Sequence, residues 1–170
     1  GVEFRVVPNN AYGEIDLDAL VTMITPEVRM IALTHMPTNG GLVNPAEEVG
    51  RIARQNDLLY LLDACQSAGQ KPLDVQALGC DFLSATGRKY LRAPRGTGFL
   101  YVRQVRLDEL DPVFPDIYGA NWVALDRYES AAGAQRFEHF EFNRANRLGL
   151  GAAVRYYLDL GPERLWGRVQ

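Results

Sequence analysis

The chain has 170 residues, of which 47% are apolar and 23% charged, and its net charge is −3. This length and apolar content allow one sizeable hydrophobic core and argue against an intrinsically disordered chain. The slightly acidic balance gives no reason to expect binding to nucleic acid or to an anionic membrane, and no run approaches the ~20 apolar residues of a membrane span. Two cysteines make no disulfide framework, and with no signal-peptide pattern this favours a reducing, cytoplasmic location.

The first part of the chain alternates predicted strands and helices. A strand is predicted at residues 4–8, and a helix begins at Asp16 and stops near Thr25 and Pro26. Residues 30–34 form a short apolar run, which is typical of a strand buried on both faces. A loop rich in helix breakers follows at 37–41, and Pro45 fits the first turn of the next helix.

The strongest strand pattern, at residues 58–62, ends at Asp63. A short helix at 75–78 leads to a strand at 82–85, a loop at 86–96 and a strand at 99–102. This alternation predicts an α/β fold, a three-layer α/β/α sandwich with a mostly parallel sheet. The stretch 107–135 fits no periodic pattern, whereas residues 144–160 predict a long helix. Because the chain begins inside a strand pattern and ends inside a helix pattern, we expect a piece of a longer protein.

Polar residues follow three of the predicted strands. In an open parallel sheet, ligands bind beyond the carboxyl ends of the strands. We therefore expect these residues to share one site. Strand by strand, they are His35, Thr38 and Asn39; Asp63, Cys65, Gln66 and Ser67; and Thr86, Arg88 and Lys89.

Lysine is rare in this chain, since Lys71 and Lys89 are the only two among 18 basic residues. The arginine guanidinium forms no Schiff base and stays protonated, so lysine chemistry has two possible positions. Pyridoxal phosphate needs a lysine for its aldehyde and a carboxylate that keeps its ring nitrogen protonated. Lys89 and Asp63 meet these two needs, and Gln66 can donate to the ring oxygen.

The remaining cofactor contacts have candidates in the same segments. Thr86 and Arg88, just before Lys89, offer a hydroxyl and a cation to a phosphate. Asp63 and Cys65 point to the same side of an extended strand, which puts Cys65 against the flat face of the ring.

Several runs in this region resemble the class V aminotransferase family, of pyridoxal-phosphate fold type I. That family includes cysteine desulfurases, selenocysteine lyases and isopenicillin epimerase-like proteins. The resemblance implies that residues 1–145 are a cofactor-binding large domain without its N-terminal part. It also implies that residues 146–170 are a helix leading to an absent small C-terminal domain, and that the full protein is a homodimer. The runs that carry the resemblance are 35–45, 63–69, 72–75, 81–82, 86–89 and 96–102.

The resemblance also implies a role for each site residue. Lys89 corresponds to the Schiff-base lysine, Asp63 to the partner of the ring nitrogen, and Gln66 to the neighbour of the ring oxygen. Thr86 takes the place of a phosphate-binding serine, and Arg88 stands where many members have histidine.

Other positions depart from the desulfurase pattern. Thr38 stands where desulfurases tend to have asparagine. The segment 136–138 is similar to the family's Arg-Phe-Glu, but Glu141 then occupies the place of a threonine that reaches the partner subunit's phosphate. A carboxylate cannot usefully face a phosphate. The family's substrate-carboxylate arginine and the desulfurases' reactive cysteine correspond to positions beyond residue 170.

The favoured interpretation is a pyridoxal-phosphate enzyme that acts on a small amino acid through Lys89, as an aminotransferase-like protein of class V. Transamination, racemisation and cleavage of a β or γ bond stay open. Alternatives are a C–S or C–Se lyase of the desulfurase type and a catalytically silent binding protein of the same fold. A hydrolase using Ser67, His35 and Asp63 lacks the Gly-x-Ser-x-Gly elbow. The cysteines and histidines show no metal-ligand spacing, so no metal is expected.

Overall fold

The computed structural model describes residues 1–39 and 41–170; Gly40, part of the predicted loop at 37–41, lies outside the described residues. The first elements are a set of short strands and helices. In chain order they are α1 (Leu17–Met23), β1 (Met30–Thr34), α2 (Ala46–Gln55), β2 (Leu59–Asp63), α3 (Val75–Leu78), β3 (Phe82–Thr86) and β4 (Gly98–Val102). The later elements are β5 (Ala120–Ala124), β6 (Arg127–Ser130), α4 (Arg144–Leu160) and α5 (Pro162–Val169), with 3-10 helices at Gln104–Glu109 and Gly133–Phe137.

The central sheet has the strand order β1-β2-β3-β4. The first three strands are parallel, and β4 pairs antiparallel with β3, which confirms the predicted α/β fold with a mostly parallel sheet. In this register Thr34 lies opposite Asp63, and Asp63 lies opposite Ser84. Three strand ends therefore open onto one edge, as a ligand site of an open sheet requires.

One face of the sheet carries the hydrophobic core. Burial alternates along β1, β2 and β3, because successive side chains of a strand point to opposite faces. Helix α2 packs its apolar stripe against β1 and β2. On the other face Met30, Ala32 and Thr34 are exposed. The prediction that β1 is buried on both faces is therefore wrong for the residues described.

Capping side chains define where several helices begin. Asp16 accepts a hydrogen bond from the backbone N–H of Ala19 at 2.9 Å, and this ends the extended segment before α1. Asp74 caps α3 in the same way, and Asn143 caps α4. Such caps satisfy backbone N–H groups that have no partner within the helix.

Two parts of the chain differ from the sequence prediction. Residues 4–8 form no strand, and Phe4 and Val6 are 89% and 87% exposed; only an isolated bridge joins Asn9 to Ile15. The stretch 107–135, which no pattern assigned, contains the β5–β6 hairpin with an irregular register near its turn. None of the helices in the described part of the chain is long and apolar enough to cross a membrane.

Candidate active site

The backbone ladder of the sheet continues past the strand ends and fixes the loops of the candidate site. The N–H of His35 donates to the carbonyl of Asp63 at 2.9 Å, and the N–H of Ala64 donates to the carbonyl of Ser84 at 2.8 Å. Neighbouring strands lie about 5 Å apart, so residues that follow β1, β2 and β3 start from adjacent positions. These backbone hydrogen bonds hold in place the starts of the loops that carry the predicted polar residues.

Asp63 and Lys89 both lie near the thiol of Cys65. The Asp63 carboxylate is held at the strand end because its Oδ1 accepts the backbone N–H of Cys65 at 2.9 Å. Burial raises the pKa of the Cys65 thiol, and the adjacent Asp63 carboxylate raises it further. The backbone of Thr86 and the ammonium of Lys89 lower this pKa. The thiol therefore lies within electrostatic range of a carboxylate and an amine, and the raised pKa keeps it neutral.

Gln66 and Thr38 are joined across two loops. The Nε2 of Gln66 donates to the Oγ1 of Thr38 at 2.8 Å. The turn that carries Gln66 is held by the bond from Ala68 N–H to the Ala64 carbonyl, at 2.9 Å, and by the Gln70 side chain, which donates to the Gln66 carbonyl at 2.7 Å. The amide side chain thus extends from a fixed backbone towards the loop after β1.

Lys89 lies in a tight loop between β3 and β4. The N–H of Gly87 donates to the carbonyl of Thr97 at 2.8 Å, and the N–H of Arg92 donates to the carbonyl of Lys89 at 2.9 Å. The hydroxyl of Thr86 donates to the same Thr97 carbonyl at 3.4 Å. These bonds fix the base of the loop, so that Lys89 is partly buried three residues beyond the end of β3.

Gly69 sets the distance between the Gln66 loop and the lysine loop, a role that the sequence analysis missed. Its φ is +92°, and a Cβ at this position would lie 2.6 Å from the carbonyl oxygen of Tyr90. A side chain would therefore push the lysine loop away from the end of β2. Gly69 is the last residue of the run 63–69, which carries the family resemblance. Its place in that run was the feature of the sequence that could have indicated its role.

Two predicted residues stand apart from this cluster. Arg88 is exposed, and in the described chain no hydrogen bond or ion pair joins it to the other candidate residues. Glu141 is exposed as well. The nearby Asp116 carboxylate organises the segment of Glu141, because it accepts the N–H of Phe140 at 2.7 Å and pairs with His139 at 3.4 Å.

Ser67 and His35 do not form a hydrolase site. Ser67 is fully buried, and its hydroxyl donates to the carbonyl of Ala64 at 3.4 Å. His35 is 2% exposed, and its Nδ1 has no partner among the described residues. Both are therefore interior residues of the fold, which argues against the serine hydrolase.

Asn44 is a second residue that the sequence analysis missed. Its Oδ1 accepts the N–H of Ile15 at 3.0 Å, and its Nδ2 donates to the carbonyl of Thr34 at 2.8 Å. The side chain joins the end of β1 to the segment before α1. Asn44 stands directly before Pro45 and the helix that follows, and this position was the only feature of the sequence that could have indicated its role.

Comparison with known proteins identifies the family. Residues 1–169 match the family Aminotransferase class-V. The chain belongs to the class V aminotransferase family. The predicted resemblance is thereby confirmed.

The relatives of this class V chain include proteins named as cysteine desulfurases. A probable cysteine desulfurase of Synechocystis sp. (strain PCC 6803) is 35% identical over 97% of this chain and 39% of its own length. The apo structure of a cysteine desulfurase from Thermococcus onnurineus NA1 is 30% identical, with a TM-score of 0.87 over 95% of this chain and 40% of that chain. The chain therefore spans about two fifths of the length of these relatives.

A third relative was solved with a cofactor. The structure of a C-DES lysine-to-alanine variant with glycine covalently linked to its PLP cofactor is 27% identical, with a TM-score of 0.81 over 95% of this chain and 42% of that chain. These likenesses confirm the fold predicted for the class V chain.

Proposed function

We propose that this chain is the cofactor-binding part of a pyridoxal-phosphate enzyme that acts on a small amino acid. The observation that carries the proposal is that the Asp63 carboxylate is fixed at the end of β2, while Lys89 lies in the loop that follows the neighbouring strand β3. The class V family and the C-DES relative with its linked cofactor support the same reading.

The residues at the sheet edge fit this cofactor in their chemistry. Lys89 supplies the amine that would hold the aldehyde, and Asp63 supplies a carboxylate fixed by a backbone hydrogen bond. Gln66 would lie beside the ring oxygen, with Thr38 next to it. Cys65 would lie against the ring face, and Thr86 and Arg88 would meet the phosphate. Arg88 is exposed, and the hydroxyl of Thr86 donates to the Thr97 carbonyl in the structure.

Each of these residues has a defined task in the proposed reaction. Bound pyridoxal phosphate supplies an electron sink for negative charge at the substrate α-carbon. The Asp63 carboxylate favours a proton on the pyridine nitrogen, because an opposite charge stabilises the charged form. Lys89, once its amine is free, takes the proton from the substrate α-carbon as a general base. Cys65 stays a neutral thiol beside Asp63, so it adds no second negative charge there.

We extend the proposal to the whole protein. Residues 1–145 would form the cofactor-binding domain, and residues 146–170 would lead to a small C-terminal domain. A homodimer in the cytoplasm, with a small amino acid as substrate and no nucleic-acid or membrane partner, completes the proposal. Sedimentation of the full-length protein would test the dimer, and a monomer at all concentrations would contradict it.

A cysteine desulfurase or selenocysteine lyase is the second candidate. The names of the relatives favour it. Arg88 and Glu141, which replace a histidine and a threonine of the desulfurase pattern, favour a different class V reaction. The products decide between them: alanine and released sulfur from cysteine indicate the lyase, whereas transfer of the amino group to an added oxo acid indicates transamination. Mass spectrometry after incubation with single amino acids, with and without an oxo-acid acceptor, measures both.

The two lysines of the chain provide a matched test of cofactor attachment. Lys89→Arg keeps the charge but cannot bond an aldehyde, and Lys71→Arg makes the same change outside the site. After borohydride reduction, we expect the full-length protein with Lys71→Arg to keep covalently bound pyridoxal phosphate and the Lys89→Arg variant to carry none. Borohydride reduction followed by peptide mass mapping should find the cofactor on residue 89.

The outcome also separates an enzyme from a silent binding protein. A cofactor that borohydride fixes to the Lys89→Arg protein, or a label on Lys71, would falsify the role of Lys89. A wild-type protein that never takes up the cofactor would support the binding-protein alternative and overturn the proposed function.

A further inference from the structure

The side-chain contact between Thr38 and Gln66 connects the loops after two neighbouring parallel strands. Thr34 and Asp63 are opposite one another at the ends of β1 and β2, and the ladder continues to His35. Thr38 lies four residues beyond the end of β1, and Gln66 lies three residues beyond the end of β2. The hydrogen bond of 2.8 Å between their side chains therefore spans the opening between the two loops.

The backbone of Gln66 is fixed, so this bond decides where its amide points. The carbonyl of Gln66 accepts the side chain of Gln70, and the same turn is closed by the bond from Ala68 to Ala64. A free glutamine side chain populates several rotamers and loses that freedom only when a partner holds it. In the described chain, Thr38 is the side chain that holds the Gln66 amide.

The chemistry of this pair favours an anionic neighbour. A primary amide has two N–H groups, and one of them is engaged by Thr38. The threonine hydroxyl accepts that bond. The second N–H of the Gln66 amide is left to donate, and such a donor favours an ionised oxygen over a neutral one.

We propose that Thr38 is a positioning residue that orients the Gln66 amide and thereby sets the pH at which the bound cofactor titrates. This inference rests on the proposed function, since it concerns the ring oxygen that Gln66 would neighbour. A donor beside that oxygen stabilises its ionised form, so the visible band changes at a lower pH than without the donor. Thr38 acts here through Gln66, which makes its effect dependent on the amide.

The test compares Thr38→Val with Thr38→Ser in the full-length protein loaded with pyridoxal phosphate. Valine has the shape of threonine but no hydroxyl, whereas serine keeps the hydroxyl. The pH midpoint of the visible absorbance should rise by about half a unit or more in Thr38→Val, a shift typical of one lost hydrogen bond. It should stay within about 0.2 units of wild type in Thr38→Ser.

A double-mutant cycle separates positioning from a direct contact. In a Gln66→Leu background, Thr38→Val should produce no further shift of the midpoint, because the amide that it orients is gone. Equal shifts with and without Gln66 would overturn the inference, and so would a Thr38→Val midpoint equal to that of wild type. Both results require a wild-type protein with a visible band. A missing band in wild type overturns the proposed function itself, so the two failures are distinguishable.

Discussion

Residues 30–102 and residues 103–143 keep their shapes by different means. The first region contributes most of the buried apolar cluster, including Tyr60, Leu62 and Leu83, which are almost fully buried. In the second region Leu107 is the only apolar side chain that the structure describes as buried. Exposed apolar side chains are instead frequent there, and Leu125 at the hairpin turn is 98% exposed.

Charged side chains bonded to the backbone hold the second region. Asp116 accepts the N–H groups of Tyr118 and Phe140 at 2.8 and 2.7 Å, and the bond from Phe140 is the main reason that the pKa of Asp116 is lowered. Arg136 donates to the carbonyls of Leu107 and Ala131 at 2.6 and 3.2 Å. A buried leucine stabilises by about 2–5 kcal/mol and a hydrogen bond by about 1 kcal/mol, so stability should be concentrated in the sheet region.

The largest expected effect comes from a core truncation. Leu62→Ala leaves a cavity under α2, since Leu62 has no exposed surface. It should lower the free energy of unfolding by about 3–4 kcal/mol. The matched change Leu125→Ala removes the same atoms from an exposed turn and should alter it by less than about 0.5 kcal/mol. Urea denaturation of the full-length protein measures both, and similar losses would remove the contrast between the two regions.

The second effect is a dependence of stability on pH that arises in the sheet region. Burial, aided by the nearby Lys71 ammonium, lowers the pKa of His35 from 6.5 to about 4. Between these pH values the unfolded chain binds a proton that the folded chain does not. Stability is therefore complete above pH ~6.5 and falls as the pH drops towards ~4, by about 2–3 kcal/mol.

A matched variant allows this effect to be assigned. His35→Leu should flatten the slope of unfolding free energy against pH over that interval, whereas Leu125→Ala, which removes no titratable group, should leave the slope unchanged. Unfolding free energies at half-unit steps of pH give the slopes. If the wild-type and His35→Leu slopes coincide, the buried histidine is not the source.

The smallest effect concerns two glycines with positive φ. Gly69→Ala places a Cβ against the carbonyl of Tyr90, while Gly133→Ala in the second region meets nothing within 4 Å. Both substitutions carry the strain of a positive φ, about 1 kcal/mol, so only the first adds a collision. Gly69→Ala should therefore cost about 1–2 kcal/mol more in unfolding free energy. It should also weaken uptake of pyridoxal phosphate. Equal melting temperatures for the two variants would exclude the close approach of position 69 to the backbone of Tyr90.

The sequence predicted the elements that the core imposes. Strands β1 and β2 were recognised because their apolar runs pack against α2, and β3 was recognised from the apolar run that pairs with β2. Helix α4 was recognised from its long periodic pattern. Residues 4–8 have a similar apolar run but pair with no strand in the described chain. Phe4 and Val6 are exposed, and only Val7 packs partly against the core. The β5–β6 hairpin lacks both a two-residue period and burial, so no pattern indicated it.

The candidate site was predictable where a strand end fixes the residue. Asp63 follows β2 directly, and its carboxylate is bonded to the next turn of backbone. The pairing of Thr38 with Gln66 depends on the conformations of two loops 28 residues apart, which no local pattern encodes. The exposure of Arg88 is likewise a property of its loop. The roles of these residues towards a cofactor stay predictions.

The contact between Gly69 and the lysine loop has a consequence for where this site tolerates substitution. The glycine meets the main chain of Tyr90 and Leu91, so the approach of the two loops does not depend on the side chain at position 90. Tyr90 is 47% exposed, so a different side chain there should leave the spacing of the two loops unchanged. A side chain at position 69 would widen that spacing and move the backbone next to Lys89.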